Sequence, residues 1–502
     1  MNASLRIFLI YCLAHLALFT LGDALYWDDW TILATGADDV RKGFSDLGAP
    51  WFGAFHLLMR PWGGLGYHFV TFASFAVASL LVMPILESYN VDKRSAFWVA
   101  VLMAVLPLNE ARVAAIVVPY AISYGLFFIG WYLMLRGTLL LRLLSLAAFF
   151  LSFTTESLLV LYALPLGLLL RRRWLRHLDF ALLPLVFFAL KTVLFPPSGM
   201  YAGYNGVHVS NLFLSLHFLS IMLVEMLDWQ TPAAALGFVA LAGSVMLLYR
   251  GGNLLREAKD YILRRGDTLP LAAAGIVAIV LALLPYYAVE RYPGYIDWNS
   301  RFQLLLPLGF SMLIVGCIRR SDAKPYALVL LTLSSIIVWN RSYADFYVDW
   351  LKQLSIIGEL QKNPALRQSK ALLWVDQTTD MDALHREYRM YDYAGLFTRA
   401  YGTQDHYVLS YSKYTRGKAD WEALVRQDRP SFISGLLSKD VPDPLPAPQL
   451  VIVAKKLHTY SADNHLSYAV SMMFRKWFQP MRYREKLESL IDVRGPVPLP
   501  ER

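Results

Sequence analysis

The stretch "IFLIYCLAHLALFTLGDALYWDDW", residues 7–30, joins an apolar run to two adjacent carboxylates set among aromatic rings. The run from Ile7 to Gly22 is slightly shorter than the about 20 residues with which a helix crosses a bilayer. It follows a single basic residue, Arg6, and no convincing small-residue cleavage site precedes the aromatic stretch. We therefore interpret it as an uncleaved first membrane span, with Asp28 and Asp29 at its mouth.

The composition is that of a polytopic membrane protein. The 502 residues are 56% hydrophobic and only 17% charged, and the mean hydropathy is +0.41, outside the usual range of soluble domains. Cys12 and Cys317 both lie in apolar runs, which excludes a disulfide framework and a tetrahedral cysteine metal site. The net charge of +9 falls largely in short loops between apolar runs, so it indicates membrane orientation rather than a nucleic-acid partner.

Further apolar runs predict about eleven spans in total. One stretch, between Arg142 and Arg171, is broken by "TTES" at Thr154 to Ser157 and has basic residues at both ends. The positive-inside rule therefore favours two short helices that meet at "TTES" as a buried hairpin. The other predicted spans are Tyr67 to Leu86, Ala96 to Leu108, Val113 to Leu135, Phe180 to Phe195, Thr231 to Tyr249, Leu269 to Val289, Phe302 to Ile318 and Pro325 to Trp339.

Loop charges predict the orientation of these spans. With a cytoplasmic N-terminus, the inner loops carry 16 Lys and Arg residues, and the longer outer loops before residue 302 carry 6. This orientation also requires Ser210 to Trp229 to lie along the outer surface as an interfacial helix. The sequence thus predicts a transmembrane domain over residues 1–340, with a first outer loop over 22–66.

The last part of the chain, residues 341–502, is predicted to be a folded domain on the outer face. It is charged, rich in tyrosine and without a further membrane-length run. Strand-like runs at Ala371 to Val375 and Gln449 to Ala454 alternate with helical patterns such as "DALHREYRMYDYAGLF", residues 382–397. These patterns indicate a small α/β unit, periplasmic or extracellular.

Charged side chains near membrane depth are costly and call for a partner or a purpose. Most of those in this chain fall on the predicted outer side, where acids and bases would line one cavity. Each one has an ordinary alternative: a helix cap for the aspartates, an aromatic belt for Trp27 and Trp30, snorkelling for the cations and a local ion pair in the second loop. The predicted cavity residues are Asp28, Asp29, His56, Arg60, Glu110, Arg112, Tyr120, Glu156, Lys191 and Arg301.

Four motifs in order carry a family resemblance. They are "YWDDW" after the first span, "LLMRPWGGLGYHF" before the second, "LNEARVAAIVV" after the third and "FTTESLLVLYALPL" further on. Together they resemble the landmarks of GT-C glycosyltransferases, in particular the protein O-mannosyltransferase and tetratricopeptide-repeat mannosyltransferase branch. The resemblance covers residues 20–165 and the arginine before a late span. Thr155 stands where that branch usually has a lysine before the hairpin glutamate, and the C-terminal part shows no tetratricopeptide period.

The resemblance implies a GT-C fold and roles for individual residues. Asp28 would be the general base that takes a proton from the acceptor hydroxyl, and Asp29 a positioning group or second acid. Glu110 matches the acid of the second loop, near donor and acceptor. Arg301, with Lys191 as the weaker candidate, matches the basic groups that hold the leaving phosphate.

The sequence therefore predicts a glycosyltransferase in a bacterial inner membrane. Its donor would be a polyprenyl-phosphate sugar and its acceptor a glycan, lipid or protein on the outer face; a divalent cation, Mg²⁺ or Mn²⁺, stays open. The alternative is a transporter or flippase of lipid-linked glycans, which is expected to carry charges along both halves of the membrane. A structural or assembly factor would leave Glu156 and Arg301 unexplained.

Overall fold

The computed structural model describes residues 2–173, 177–203, 206, 270–294, 298–318, 324–403, 405–416, 421, 425, 446–456 and 465–499. The predicted span Thr231 to Tyr249, the predicted interfacial helix Ser210 to Trp229 and the basic loop Arg256 to Arg265 lie outside these residues.

Five of the described helical segments are long and apolar enough to cross a membrane. The structure also exposes large apolar side chains along several helices, for example Leu140, Leu185 and Leu330, as expected where lipid replaces water. This is the architecture of a helical membrane protein. The five segments are Ala3–Leu21, Pro50–Glu87, Ala115–Met134, Leu271–Ala288 and Tyr326–Lys362.

The structure does not reproduce the predicted count of about eleven spans in the described part of the chain. Several predicted spans form helices of 13 to 17 residues, and 13 residues reach only about 20 Å, short of the about 30 Å hydrocarbon layer. The predicted helix break within the hairpin is found, since one helix ends at Ser152 and the next begins at Ser157, and the interruption at residues 153–156 overlaps "TTES". The short helices are Lys93–Val105, Leu139–Ser152, Ser157–Leu161, Ala163–Arg173, Leu178–Leu194 and Leu306–Ile318.

The predicted first outer loop is itself helical. It contains Asp29–Leu33, Ala37–Asp46 and Pro50–Met59 before the long helix Gly63–Glu87 begins. A small apolar core that includes Ile32, Val40, Phe44 and Phe52 holds these helices together. The segment that carries the two aspartates is therefore a packed structure rather than a solvated connection.

A single helix, Lys324–Lys362, connects the membrane part to the C-terminal part. At 39 residues it is about 58 Å long, and the predicted domain boundary at residue 340 falls inside it. Past the apolar run its buried face continues with residues such as Tyr343, Phe346 and Leu351. The change of composition at residue 340 thus marks a change in the helix's surroundings and not a break in the chain.

A four-stranded sheet forms the centre of the C-terminal part. The strands are β1 (Ala371–Asp376), β2 (Tyr407–Ser410), β3 (Gln449–Lys455) and β4 (Ile491–Val497). Their order is β2-β1-β3-β4, with β1 parallel to both neighbours and β4 antiparallel to β3. Both strands predicted from the sequence, β1 and β3, are confirmed.

Five helices with described bounds accompany the sheet. The pattern predicted as helical over residues 382–397 forms a regular helix only from Met390, because Leu384 has a φ of 54° in the stretch before it. The helices are Pro364–Gln368, Met390–Tyr401, Tyr411–Arg416, His465–Phe478 and Pro480–Glu488.

The C-terminal part and the first loop interlock. The hydroxyl of Tyr26 donates to the carbonyl of Phe346 at 2.7 Å, and Nε2 of Gln353 donates to the carbonyl of Leu25 at 3.1 Å. The Trp30 ring lies against helix Met390–Tyr401 at Gly395, where a Cβ atom would overlap it. The stretch "YWDDW" is thus enclosed between the membrane helices and the C-terminal part.

Candidate functional site

The two adjacent aspartates point to different places. Asp29 is turned into the protein, where its Oδ1 accepts from the amide of Ile116 at 2.8 Å and its Oδ2 from the amide of Tyr26 at 3.1 Å. Burial raises the pKa of its carboxyl to about 7, although these backbone amides act in the opposite direction. Asp29 therefore fastens the first loop to the segment that follows the second loop, a positioning role.

Asp28 precedes the short helix Asp29–Leu33, and its side chain makes no capping hydrogen bond to that helix. Its carboxylate, partly exposed, interacts electrostatically with Arg386, Tyr391 and Asp392 of the C-terminal part. The ordinary explanation of an aspartate at this position is a cap, and this geometry does not supply one. Asp28 instead faces a charged group of residues from the far end of the chain.

The indole of Trp27 connects this aspartate to the last predicted outer loop. Its ring centroid lies 4.1 Å from that of Trp298, with the rings tilted by 66°. Trp27 has a φ of 55°, a conformation that is rare for a bulky residue and costs of the order of 1–3 kcal/mol. The surrounding contacts therefore hold "YWDDW" in a strained shape against "WNSRF", residues 298–302.

Arg301 lies on the other side of Trp298. Its guanidinium carbon is 4.5 Å from the Trp298 ring centroid and 4.7 Å from that of Phe302. Residues 298–303 form a 3₁₀ helix, and because this helix has three residues per turn, Trp298 and Arg301 share one face. The guanidinium thus lies over two aromatic rings.

A second face of the same 3₁₀ helix holds the second loop. Oγ of Ser300 accepts from the amide of Ala111 at 3.0 Å, and Oε1 of Gln303 accepts from the amide of Asn109 at 2.9 Å. Asn109 itself has a φ of 64°, which an asparagine tolerates better than most residues. Ser300 and Gln303 therefore fix the backbone around Arg301, while the Arg301 side chain lies against Trp298 and Phe302.

Arg301 also interacts electrostatically with Tyr286. The Tyr286 hydroxyl lies 3.1 Å from Oγ of Ser157, directly after Glu156 in "TTES". Glu156 forms an ion pair with Lys191 of helix Leu178–Leu194, so Lys191 already has a partner in the structure. Tyr120 also interacts electrostatically with Tyr286 and so lies close to these residues.

Glu110 and Arg112 have distinct surroundings within the second loop. The Arg112 guanidinium lies between the rings of Phe75 and Trp339, at 4.4 and 4.1 Å from their centroids. It donates to the carbonyls of Leu108 and Asn109 at 2.6 and 3.1 Å. These contacts make Arg112 the residue that shapes the loop.

Glu110 is buried close to a second carboxylate. Burial raises the pKa of its carboxyl to about 8, the charge of Asp345 adds to this rise and Arg112 opposes it. Asp345 is paired with Nδ1 of His465 at 2.8 Å. The predicted acid of the second loop thus sits in a low-dielectric pocket beside the C-terminal part.

His56 and Arg60 stabilise the first loop. The His56 ring stacks on Phe44 at 5.2 Å between centroids, and its Nδ1 lies 3.3 Å from the Tyr67 hydroxyl. Arg60 donates from Nε to the carbonyl of Ile32 at 2.8 Å, at the end of helix Asp29–Leu33, where carbonyl groups lack helical partners. The sequence analysis places both residues in the cavity. In the structure their side chains contact other residues of the first loop and of the helix that follows it.

We call Asp28, Trp298, Arg301, Tyr286 and Arg386 the loop cluster. Four of its members come from the predicted outer loops or the end of a span, and one, Arg386, comes from the C-terminal part. Arg386 donates to Asp392 at 3.1 Å and to the Tyr391 hydroxyl, and its guanidinium carbon is 5.9 Å from the Trp27 ring centroid.

Sequence reasoning missed Arg386, Tyr391 and Asp392. They lie more than 350 residues after Asp28, and no spacing along the chain connects them to it. The only sequence signal is "YRMYDY" at residues 388–393, which, like "YWDDW", sets an acid among aromatic rings.

Within the residues that the structure describes, no three His, Cys, Asp or Glu side chains form a group able to hold a metal ion. Both oxygens of Asp29 are occupied by backbone amides, so the aspartate pair does not act as a chelating pair. A divalent cation, Mg²⁺ or Mn²⁺, stays open as a cofactor, and the proposed reaction does not use one.

Comparison with protein-family models gives no match, and comparison with curated proteins gives none at a significant level.

Proposed function

We propose that the protein is a membrane glycosyltransferase of GT-C architecture that moves a sugar from a polyprenyl-phosphate donor to an acceptor hydroxyl. The observation that carries the proposal is the contact of Trp27 with Trp298. This contact brings the segment that carries Asp28 next to the segment that carries Arg301. The two segments are far apart in the sequence, near the beginning and near the end of the membrane part. Glycosyl transfer to a hydroxyl needs a base for the acceptor and a cation for the leaving phosphate.

The proposed reaction is a transfer of the sugar from phosphate to the acceptor hydroxyl. The acceptor oxygen attacks the anomeric carbon, a C–O bond forms, and the bond between that carbon and the phosphate oxygen breaks. Asp28 takes the acceptor proton, and polyprenyl phosphate leaves with the bonding electrons. Arg301 stabilises the negative charge that develops on the leaving phosphate, because a guanidinium bonds two phosphate oxygens at once.

A lipid-linked donor is supported by the surface of the protein. Large apolar side chains are exposed on the helices near the loop cluster, among them Ile276 and Val280 on the helix that ends with Tyr286 to Ala288. A polyprenyl chain would lie on such a surface while its phosphate reaches Arg301. The sequence has no glycine-rich phosphate loop for a nucleotide sugar.

The pairing of Glu156 with Lys191 also supports the resemblance to GT-C enzymes. That branch usually carries a lysine and a glutamate together in the short hairpin, and Thr155 replaces the lysine in this sequence. Here the lysine comes from a later helix, Leu178–Leu194. The pair is therefore present in space although it is absent as a motif.

We further propose that transfer takes place on the outer face of a bacterial inner membrane, with the C-terminal part on that side. The acceptor, a glycan, lipid or protein, would approach Asp28 from the side of Arg386 and Tyr391.

The test is release of polyprenyl phosphate by the purified full-length protein in detergent. Undecaprenyl-phosphate mannose and undecaprenyl-phosphate glucose serve as probes, and total envelope extract, with its lipids retained, supplies acceptors. A glycosyltransferase converts one of the probes to free undecaprenyl phosphate when acceptor is added. A transporter or flippase would leave both probes intact in detergent and move them across the bilayer in proteoliposomes, which would overturn the proposal.

A further inference from the structure

The last two helices expose an apolar surface that none of the residues described in the structure covers. The exposed side chains recur at helical spacing along His465–Phe478 and continue into Pro480–Glu488. Trp477, Phe478 and Met481, at the turn between the helices, are 79%, 72% and 76% exposed. The surface consists of Leu466, Val470, Phe474, Trp477, Phe478 and Met481, and we call it the hairpin surface.

The helix His465–Phe478 is packed through its opposite face. Ala469 and Met472 are its fully buried residues, and successive residues at 100° place them away from Val470 and Phe474. An ordinary surface helix is polar on its solvent side. This helix is apolar on both sides, so its outer face requires a second partner.

The position of the hairpin points to the partner. Both of its ends are attached to the long helix Lys324–Lys362: His465 pairs with Asp345 at 2.8 Å, and the Leu487 carbonyl accepts from Oγ of Ser355 at 2.8 Å. The last exposed apolar residue on the membrane part of that helix is Ile337, eight residues before Asp345, or about 12 Å. A helix of 14 residues, about 21 Å long, rooted at this height can reach the headgroup layer.

The charge of the hairpin fits a negatively charged surface. Between residues 475 and 488 there are five basic residues and two acidic ones, Glu485 and Glu488. Basic side chains beside exposed aromatic and aliphatic ones are typical of helices that lie in a membrane interface. Each Lys or Arg near an anionic leaflet adds about 1 kcal/mol of attraction. The basic residues are Arg475, Lys476, Arg482, Arg484 and Lys486.

We propose that the hairpin surface inserts into the interface of an anionic lipid bilayer and anchors the C-terminal part to the membrane that the helices cross. The apolar turn around Trp477 enters the boundary between headgroups and acyl chains, while the basic side chains bind phosphate groups of the lipids. This inference does not depend on the glycosyltransferase proposal.

The experiment places an environment-sensitive NBD label at Phe474→Cys and, separately, at Met481→Cys. The full-length protein, with Cys12 and Cys317 replaced by alanine, is held in nanodiscs with one copy per disc. The matched control is Arg494→Cys on strand β4, where the side chain is 72% exposed. We expect a blue-shifted emission at positions 474 and 481 that brominated lipid quenches, and water-like emission at position 494.

Lipid composition tests the charge. The blue shift at position 481 should be larger in discs that contain phosphatidylglycerol than in discs of phosphatidylcholine alone. Arg482→Gln together with Arg484→Gln should lower the ratio of inserted to free hairpins about fivefold for each charge removed. Water-like emission at both positions in anionic discs would overturn the proposal. A blue shift that requires two protein copies per disc would overturn it too, because the partner would then be a second copy of the chain.

Discussion

Asp28 and Arg301 differ from the neighbouring charged residues in how their side chains are used. Asp29, Arg60 and Arg112 bond to backbone groups and shape loops. Asp28 makes no capping bond, and the Arg301 guanidinium lies over the rings of Trp298 and Phe302. In the proposed function these two side chains act on the substrate.

Arg301→Lys is expected not to be conservative. A lysine keeps the charge but loses the contact of the guanidinium with the rings of Trp298 and Phe302. It also cannot bind two phosphate oxygens in the bidentate geometry of an arginine. We expect the lysine variant to recover little of the transfer that Arg301→Ala loses, and the KM for the polyprenyl-phosphate donor to rise. Initial rates against donor concentration check this, with size-exclusion profiles as the folding control. Full activity of the lysine variant would leave the phosphate role without support.

Glu110 is expected to make stability depend on pH. Its pKa is raised from 4.5 to about 8 by burial first and by Asp345 second. Between these values the folded protein holds a proton that the unfolded chain has released, so the free energy of unfolding falls as pH rises. Thermal unfolding in detergent from pH 5 to pH 8 should show a smaller fall for Glu110→Gln than for wild type. Exposed Glu485→Gln is the control and should keep the wild-type slope; an unchanged slope in Glu110→Gln would contradict the burial effect.

At the scale of elements, helix Met390–Tyr401 locks the stretch "YWDDW" in place. Gly395 leaves room for the Trp30 ring, and a methyl group there would overlap the indole. We expect Gly395→Ala to lower stability by about 1–3 kcal/mol and to reduce transfer, since Trp30 follows the aspartates directly. Thermal unfolding and the release assay check both effects.

The matched control is Gly358→Ala on helix Lys324–Lys362. A Cβ at this position meets nothing within 4 Å, so alanine should be neutral or stabilise by about 0.5–1 kcal/mol through helix propensity. Equal behaviour of the two alanine variants would show that the contact between Trp30 and Gly395 does not hold the elements together.

Local patterns predicted the elements well where packing follows periodicity. Strands β1 and β3 and the break at "TTES" were found because short β-rich runs and a polar interruption are local signals. The predicted domain boundary at residue 340 lies inside helix Lys324–Lys362. The composition changes there because the surroundings of the helix change, although the helix continues. The pairing of Lys191 with Glu156 and the approach of Arg386 to Asp28 were not predictable, since they arise from tertiary packing between distant segments.

At the scale of the whole molecule, the long apolar helices and the asymmetry of loop charge predict one orientation in the membrane. Single cysteines at exposed Ser198 and Lys362, in a background without Cys12 and Cys317, should react with an impermeant maleimide in intact cells. A cysteine at exposed Lys93 should react only after permeabilisation. Labelling of position 93 in intact cells would reverse the orientation and with it the proposed outer site.

The most direct measurement compares Asp28→Asn with Asp29→Asn in the polyprenyl phosphate release assay. Asparagine keeps the shape of Asp28 and removes the proton acceptor, so the rate should fall by about 10² to 10⁴ with an unchanged melting temperature. Asp29→Asn should mainly lower the melting temperature, because its two oxygens hold the amides of Tyr26 and Ile116, and should retain more of the transfer rate. Near wild-type release by Asp28→Asn would contradict the assignment of Asp28 as the general base.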